Sequence, residues 1–262
     1  MNFFKQSFYY ILLTTIILIS LIYRFAMKNG KPHCDNFVIN VYLYITLSIC
    51  IIGLFLHAFN LYFNKSSTLY ELLPIYKAFK QTGTSVLVFV LLLFVSFGSL
   101  ILLVLQNVFS KEGFLLNHTL WIIFLSTLSF ILYPIFKSIQ YSKLIGYAAY
   151  MTTMVFAIMS IIVYIFPKFF QNTYGVAMIT LLISLIAIIV FELMLIFTGT
   201  YNVFIEKIMF YSILVVFSLL VSYDTSRMFE YAKICIDSPN YPQISTSQTL
   251  NILNLFQNFL IR

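Results

Sequence analysis

Leu219-Leu220-Val221-Ser222-Tyr223-Asp224-Thr225-Ser226-Arg227 closes a long apolar run, and Ser247-Gln248-Thr249-Leu250-Asn251-Ile252-Leu253-Asn254-Leu255-Phe256-Gln257-Asn258 follows in a short terminal segment. The run from Ile208 to Ser222 carries no charge. In hydrocarbon such a run is helical, because each backbone amide must find its partner within the segment. The terminal segment reads differently. Ser247, Asn251, Asn254 and Asn258 step by four, three and four, which sets them on one helical face. A helix lying flat on a membrane would normally carry Lys or Arg on that face, and here none occurs before Arg262. An uncharged amide face is better used inside a bundle, bonding other helices. We read a short helix packed at the centre of a bundle, with Asp224, at the end of the preceding helix, sharing its polar pocket.

Composition supports the same solvent. Of 262 residues, 61% are hydrophobic and 9% charged, against roughly 45–50% and about 25% in soluble domains. The apolar runs lack the alternation of barrel strands and are long enough, or nearly so, for a hydrocarbon core of about 30 Å. The expected fold class is an all-α integral membrane protein. The net charge of +7 is spread over short loops. No block of five or six like charges occurs, which argues against nucleic acid and for the lipid bilayer as partner.

Eight runs are expected to be helices. Phe8–Met27 has Lys5 before it but no small-residue cleavage site, so we read a retained helix rather than a signal peptide. Lys28–Asn36 is a polar connector with Gly30 and Pro32. Phe37–Phe59 is the second run. Asn60–Thr84 is a long connector whose Leu69, Tyr70, Leu72, Leu73, Ile75, Tyr76 and Phe79 suggest a short interfacial helix. Ser85–Gln106 and Thr119–Phe136 follow, the latter with Trp121 at an end where an aromatic anchor would sit. Leu144–Phe166, ended by Pro167, opens with small residues that permit close approach. Val176–Thr198, Ile208–Ser222 and Thr246–Ile261 complete the set. The domain reading is an N-terminal hydrophobic helix and connector over 1–36 and a transmembrane bundle over 37–262.

Several signals are weak. If all eight runs span, eight Lys/Arg residues lie on the N-terminal side and seven on the other, which leaves orientation open. Sequons at Asn64 and Asn117 flank the same run, and we read neither as used. Cys34, Cys50 and Cys235 are an odd number without a CxxC spacing, which argues against a disulfide framework. His33, His57 and His118 lie far apart, so neither a metal site nor a cofactor is expected.

Two acids lie at membrane depth, where a charge costs on the order of 2.5–3.5 kcal/mol. Glu192 reads as a snorkelling residue near a helix end or as part of an ion path. Asp224 reads as a helix-end cap paired with Arg227, three residues on, or as the acid of the amide-lined pocket formed with Asn251 and Asn254. Intramembrane aspartyl proteolysis needs two aspartates at depth, and hydrolase and phosphate-loop motifs are missing, so the chain does not read as an enzyme.

Tyr223-Asp224-Thr225 at the end of the penultimate run, a linker, and Asn254-Leu255-Phe256 in the last helix resemble the Bax-inhibitor family (transmembrane Bax inhibitor motif proteins). Ile145, Ala148, Ala149, Thr152, Thr153, Phe156 and Ser160 look like that family's small-and-threonine helix. The motifs cover residues 119–262; upstream the resemblance rests on helix count. It implies about seven transmembrane helices around a short central C-terminal one, with Phe8–Met27 as an extra N-terminal helix. It also implies an intracellular membrane (endoplasmic reticulum or Golgi), calcium leak and suppression of cell death. In the family pattern two aspartates share a proton and gate the leak by pH. Asp224 matches the first, and Asn251 stands where the second would be.

An Asp–Asn pair has one titrating group, and the amide can donate to the carboxylate and favour its charged form. Weakened pH gating is expected, with Ca²⁺ as permeant ion. The alternative is a non-conducting anti-apoptotic protein that binds other membrane proteins of cell-death or calcium pathways. A small-solute transporter ranks below both, since no paired broken helices are visible.

Overall fold

The apolar runs become helices, and most helices outlast the runs that founded them. The computed structural model describes residues 2–64, 82–109, 114–139, 144–198, 203–236 and 238–260. Among these residues the helices are α1 (Asn2–Ala26), α2 (Phe37–Asn64), α3 (Thr82–Val104), α4 (Phe114–Ile139), α5 (Leu144–Ile165), α6 (Pro167–Thr198), α7 (Val203–Ile234) and α8 (Tyr241–Leu260). Five helical stretches are long and apolar enough to cross a membrane: Phe8–Ala26, Phe37–Asn60, Leu115–Tyr133, Leu144–Ile165 and Phe204–Ile234. Pro167–Thr173 and Gly175–Phe191, meeting at a bend of 72°, make a sixth if counted as one span. The all-α, multi-pass membrane class therefore holds. The interfacial helix expected between α2 and α3 falls on residues 65–81, outside the described residues.

The chain forms two compact units, one of Met1–Tyr141 with Cys235–Thr246 and the other of Ser142–Ile234 with Ser247–Arg262. In the first, α1 packs on α2, and α4 packs on both α2 and α3. The polar connector after α1 is a tight hairpin, β1 (Met27–Lys28) paired antiparallel with β2 (Lys31–Pro32). Its turn residues Asn29 and Gly30 have φ of 54° and 75°, the left-handed pair that a type I′ turn requires.

Tyr241, the first residue of α8, is the hub of this unit. Its ring stacks on Tyr44 at 5.3 Å. Its hydroxyl donates to the His33 carbonyl at 2.6 Å and accepts from Asn40 Nδ2 at 3.1 Å. Asn40 also donates to the carbonyls of Phe25 and Asp35, so one buried amide ties the end of α1 to the start of α2. Tyr241→Phe strips the part-buried His33 carbonyl of its donor, while Asn40 keeps the carbonyls of Phe25 and Asp35. Leaving such a group unpaired costs about 1–3 kcal/mol, which thermal unfolding of the purified protein in detergent should register.

Two expectations are corrected here. Trp121 is 2% exposed, its ring 5.7 Å from Tyr44 and 6.1 Å from His118. It is a core residue of the α2–α4 contact, not an anchor among lipid headgroups, because its face of α4 turns toward α2. The cysteines also differ from expectation. Cys34 and Cys235 form a disulfide across 201 residues of sequence, and Cys50 is free. An odd count leaves one cysteine over but does not forbid one pair, and a pairing that distant has no spacing signal.

The second unit is built on α7, against which α5 and α6 pack. Val163, Phe170, Leu181, Val216 and Tyr223 form one buried cluster. Phe217, Val221 and Leu255 form another, with Phe156 of α5 against it. Of the small-and-threonine residues of α5, Ala148 and Thr152 are buried, whereas Ala149 and Thr153 are exposed.

Candidate functional site

The apolar run ends at Ser222, but the helix does not: α7 continues to Ile234. Asp224 is therefore an interior helical residue, not a helix-end cap. Propensity allows this, since nothing from Tyr223 to Ile234 breaks a helix. Burial favours it too, because Tyr223, Thr225, Ser226 and Met228 are all buried. Tyr223 turns toward α6, where its ring meets Phe170 edge-on at 5.4 Å and its hydroxyl bonds Thr173 at 3.0 Å.

Asp224 and Thr225 meet α8. Helix α8 starts earlier than the amide stripe suggests, because Asn240 caps it. The Asn240 side-chain oxygen accepts from the Gln243 amide at 3.2 Å, and Pro242 sits in the first turn, where its missing N–H costs nothing. Within α8 only Ser247 is exposed. A helix this polar and this enclosed is not one lying on a membrane surface.

The acid–amide contact is direct. Asn251 Nδ2 donates to Asp224 Oδ2 at 2.8 Å, and the Ser247 hydroxyl donates to the same oxygen. Ser247 and Asn251 are one helical turn apart, so both reach one carboxylate oxygen. Asp224 is half-buried and Asn251 is 7% exposed. The Arg227 guanidinium stacks over the Tyr231 ring at 5.2 Å.

The rest of the stripe behaves differently. Asn254 donates to the Leu250 carbonyl of its own helix at 2.9 Å and makes no bond to Asp224, so the pocket of Asp224, Asn251 and Asn254 loses its third member. Asn258 donates to the Phe210 carbonyl at 3.2 Å, joining α8 to the far part of α7. Glu192 lies on α6, and its side chain is outside the described residues.

The residue that sequence reasoning missed is Gln248. It is 1% exposed and donates to Thr225 Oγ1 at 2.9 Å and to the Val221 carbonyl at 3.4 Å. It sits one position off the amide stripe, so periodicity left it out. A buried glutamine in so apolar a protein was the available signal. Gln248→Leu should cost about 1–3 kcal/mol, since it strips the buried Thr225 hydroxyl. Asn254→Ala should stay within about 0.5 kcal/mol. Thermal unfolding in detergent compares the two.

The site thus brings together the Asp224 carboxylate, the Ser247 hydroxyl and the Asn251 side-chain amide, groups whose oxygens are hard donors. A half-buried acid, held by an uncharged hydroxyl and amide of the next helix, sits on a helix long and apolar enough to cross a membrane, in a chain with several such helices. Residues 34–261 match the family model described as "Inhibitor of apoptosis-promoting Bax1", and the chain belongs to this Bax-inhibitor family. No curated protein and no solved structure matches it.

Proposed function

We propose that the protein is a cation-leak protein of an intracellular membrane, endoplasmic reticulum or Golgi, which passes Ca²⁺ by way of the Asp224–Ser247–Asn251 site and thereby suppresses cell death. The observation that carries this reading is the 2.8 Å contact between Asp224 and Asn251. A charge at membrane depth is expensive and is kept where a path or a partner uses it. Family membership supports the same reading. The activity is transport and not catalysis, it needs no cofactor, and the bilayer is its principal partner. With one carboxylate in place of two, gating by pH is weakened.

The test is Ca²⁺ flux in liposomes with the purified parent, Asp224→Ala and Asn251→Asp. Flux above empty liposomes from the parent supports the leak. No flux from any of the three overturns it.

A second reading has its own observation, the amide at position 251. With one negative charge fewer, the site holds a cation less well, and the protein would then act by binding other membrane proteins. Under that reading Asp224→Ala keeps full protection of stressed cells. Loss of protection by a normally folded Asp224→Ala protein counts against it.

A further inference from the structure

Three stretches of chain converge at one end of the first unit. The hairpin and the turn before α2 bring Cys34 there, and Cys235 follows α7 directly. The segment after α3 is held at the same place. Gln243 Nε2 donates to the carbonyls of Val104 and Gln106, the Asn240 amide donates to the Val108 carbonyl at 2.8 Å, and Phe109 bridges Pro239. The carboxyl end of α1, the amino end of α2 and the carboxyl end of α3 therefore share one face. Helix α1 has 25 residues, a length of about 37 Å, so its amino end belongs to the opposite face of a hydrocarbon layer about 30 Å thick.

We propose that the Cys34–Cys235 face lies in an oxidising compartment, the lumen of the secretory pathway or the space continuous with it, and that the amino end of α1 lies in the cytosol. Disulfides persist in such compartments and are reduced in the cytosol. Forming this one from two thiols releases two electrons and two protons. A disulfide of a thiol oxidoreductase in that compartment accepts them by exchange and becomes a dithiol. The disulfide thus supplies the orientation that eight basic residues against seven leave open. The sequons agree with the assignment. Asn117 is on the oxidising face, but it sits in the first turn of α4 and is 6% exposed, closed to a transferase. Asn64, at the other end of α2, faces the cytosol. The chain should carry no glycan. This inference does not depend on the leak reading.

The experiment uses the full chain with Cys50→Ser in sealed microsomes whose cytosolic face is outward. A membrane-impermeant phosphine reductant is followed by an impermeant maleimide carrying polyethylene glycol, and mass tags are counted on gels. No tag is expected in sealed vesicles, none after permeabilisation without reductant, and two after permeabilisation with reductant. Two tags in sealed, reductant-treated vesicles place the face in the cytosol and overturn the proposal. Two tags without reductant also overturn it, because the disulfide is then not formed. Cys34→Ser in the same background provides a second reading: its single thiol, Cys235, should be tagged without reductant, and only in permeabilised vesicles. Tagging of that thiol in sealed vesicles overturns the assignment independently.

Discussion

Asn251→Asp should turn a calcium flux that varies weakly with pH into one that changes about tenfold between acidic and neutral pH. In the parent, Asp224 Oδ2 accepts from Asn251 Nδ2 at 2.8 Å, and the amide cannot titrate. With an aspartate at 251, two carboxylates occupy the same contact. They cannot both ionise freely, so the pair holds a shared proton and releases it in a second macroscopic step. The site's charge then changes by one within the assay range, and a tenfold change in flux corresponds to about 1.4 kcal/mol of altered cation attraction. Asp224→Ala should bring flux close to that of empty liposomes, since it removes the site's acid. A parent flux as steep in pH as that of the Asn251→Asp protein would remove Asn251 from the explanation.

Stripping the acid of its donors should have the largest effect on stability. Ser247→Ala combined with Asn251→Leu leaves Asp224 Oδ2 without the two side-chain bonds it makes to α8. Hydrogen bonds to charged groups contribute about 1.5–3 kcal/mol each. The two share one acceptor and will not add fully, and the exposed Ser247 contributes little because solvent screens it, so the double variant should lose about 2–3 kcal/mol. Adding Asp224→Leu should recover most of that loss, because an apolar group replaces an unpaired acid among apolar neighbours. The triple variant would then be stable and non-conducting. Thermal unfolding with flux on the same samples separates the two roles. A triple variant no more stable than the double one would show that α8 is held mainly by its apolar contacts, such as Leu255 with Phe217 and Val221.

Much of this was legible in local sequence. An uncharged run such as Ile208–Ser222 can be only a few things in lipid, and helix is the one that satisfies its backbone. The spacing of Ser247, Asn251, Asn254 and Asn258 announced a polar helical face, and Tyr223-Asp224-Thr225 pointed to the Bax-inhibitor family. Helix ends were less legible. Tyr223 to Ile234 is not apolar, so hydropathy stopped at Ser222 while burial carried the helix onward. At α8 the start was set by an Asn240 cap and not by the apolar pattern.

What the sequence determined by itself was the solvent, and with it the helical class, the approximate spans and the acid and amides that could form a site. Solvent is read from composition, and helical faces from a short period; both are properties of neighbouring residues. Only the tertiary structure decided which partners meet. Asn251 reaches Asp224 while Asn254, on the same face, bonds its own helix. Gln248 is drawn into the site from one position off the stripe. Trp121 turns inward, and Cys34 finds Cys235 from 201 residues away. A side chain's partner depends on how two helices are rotated against each other, or on where two distant connectors come to rest. No local period encodes either.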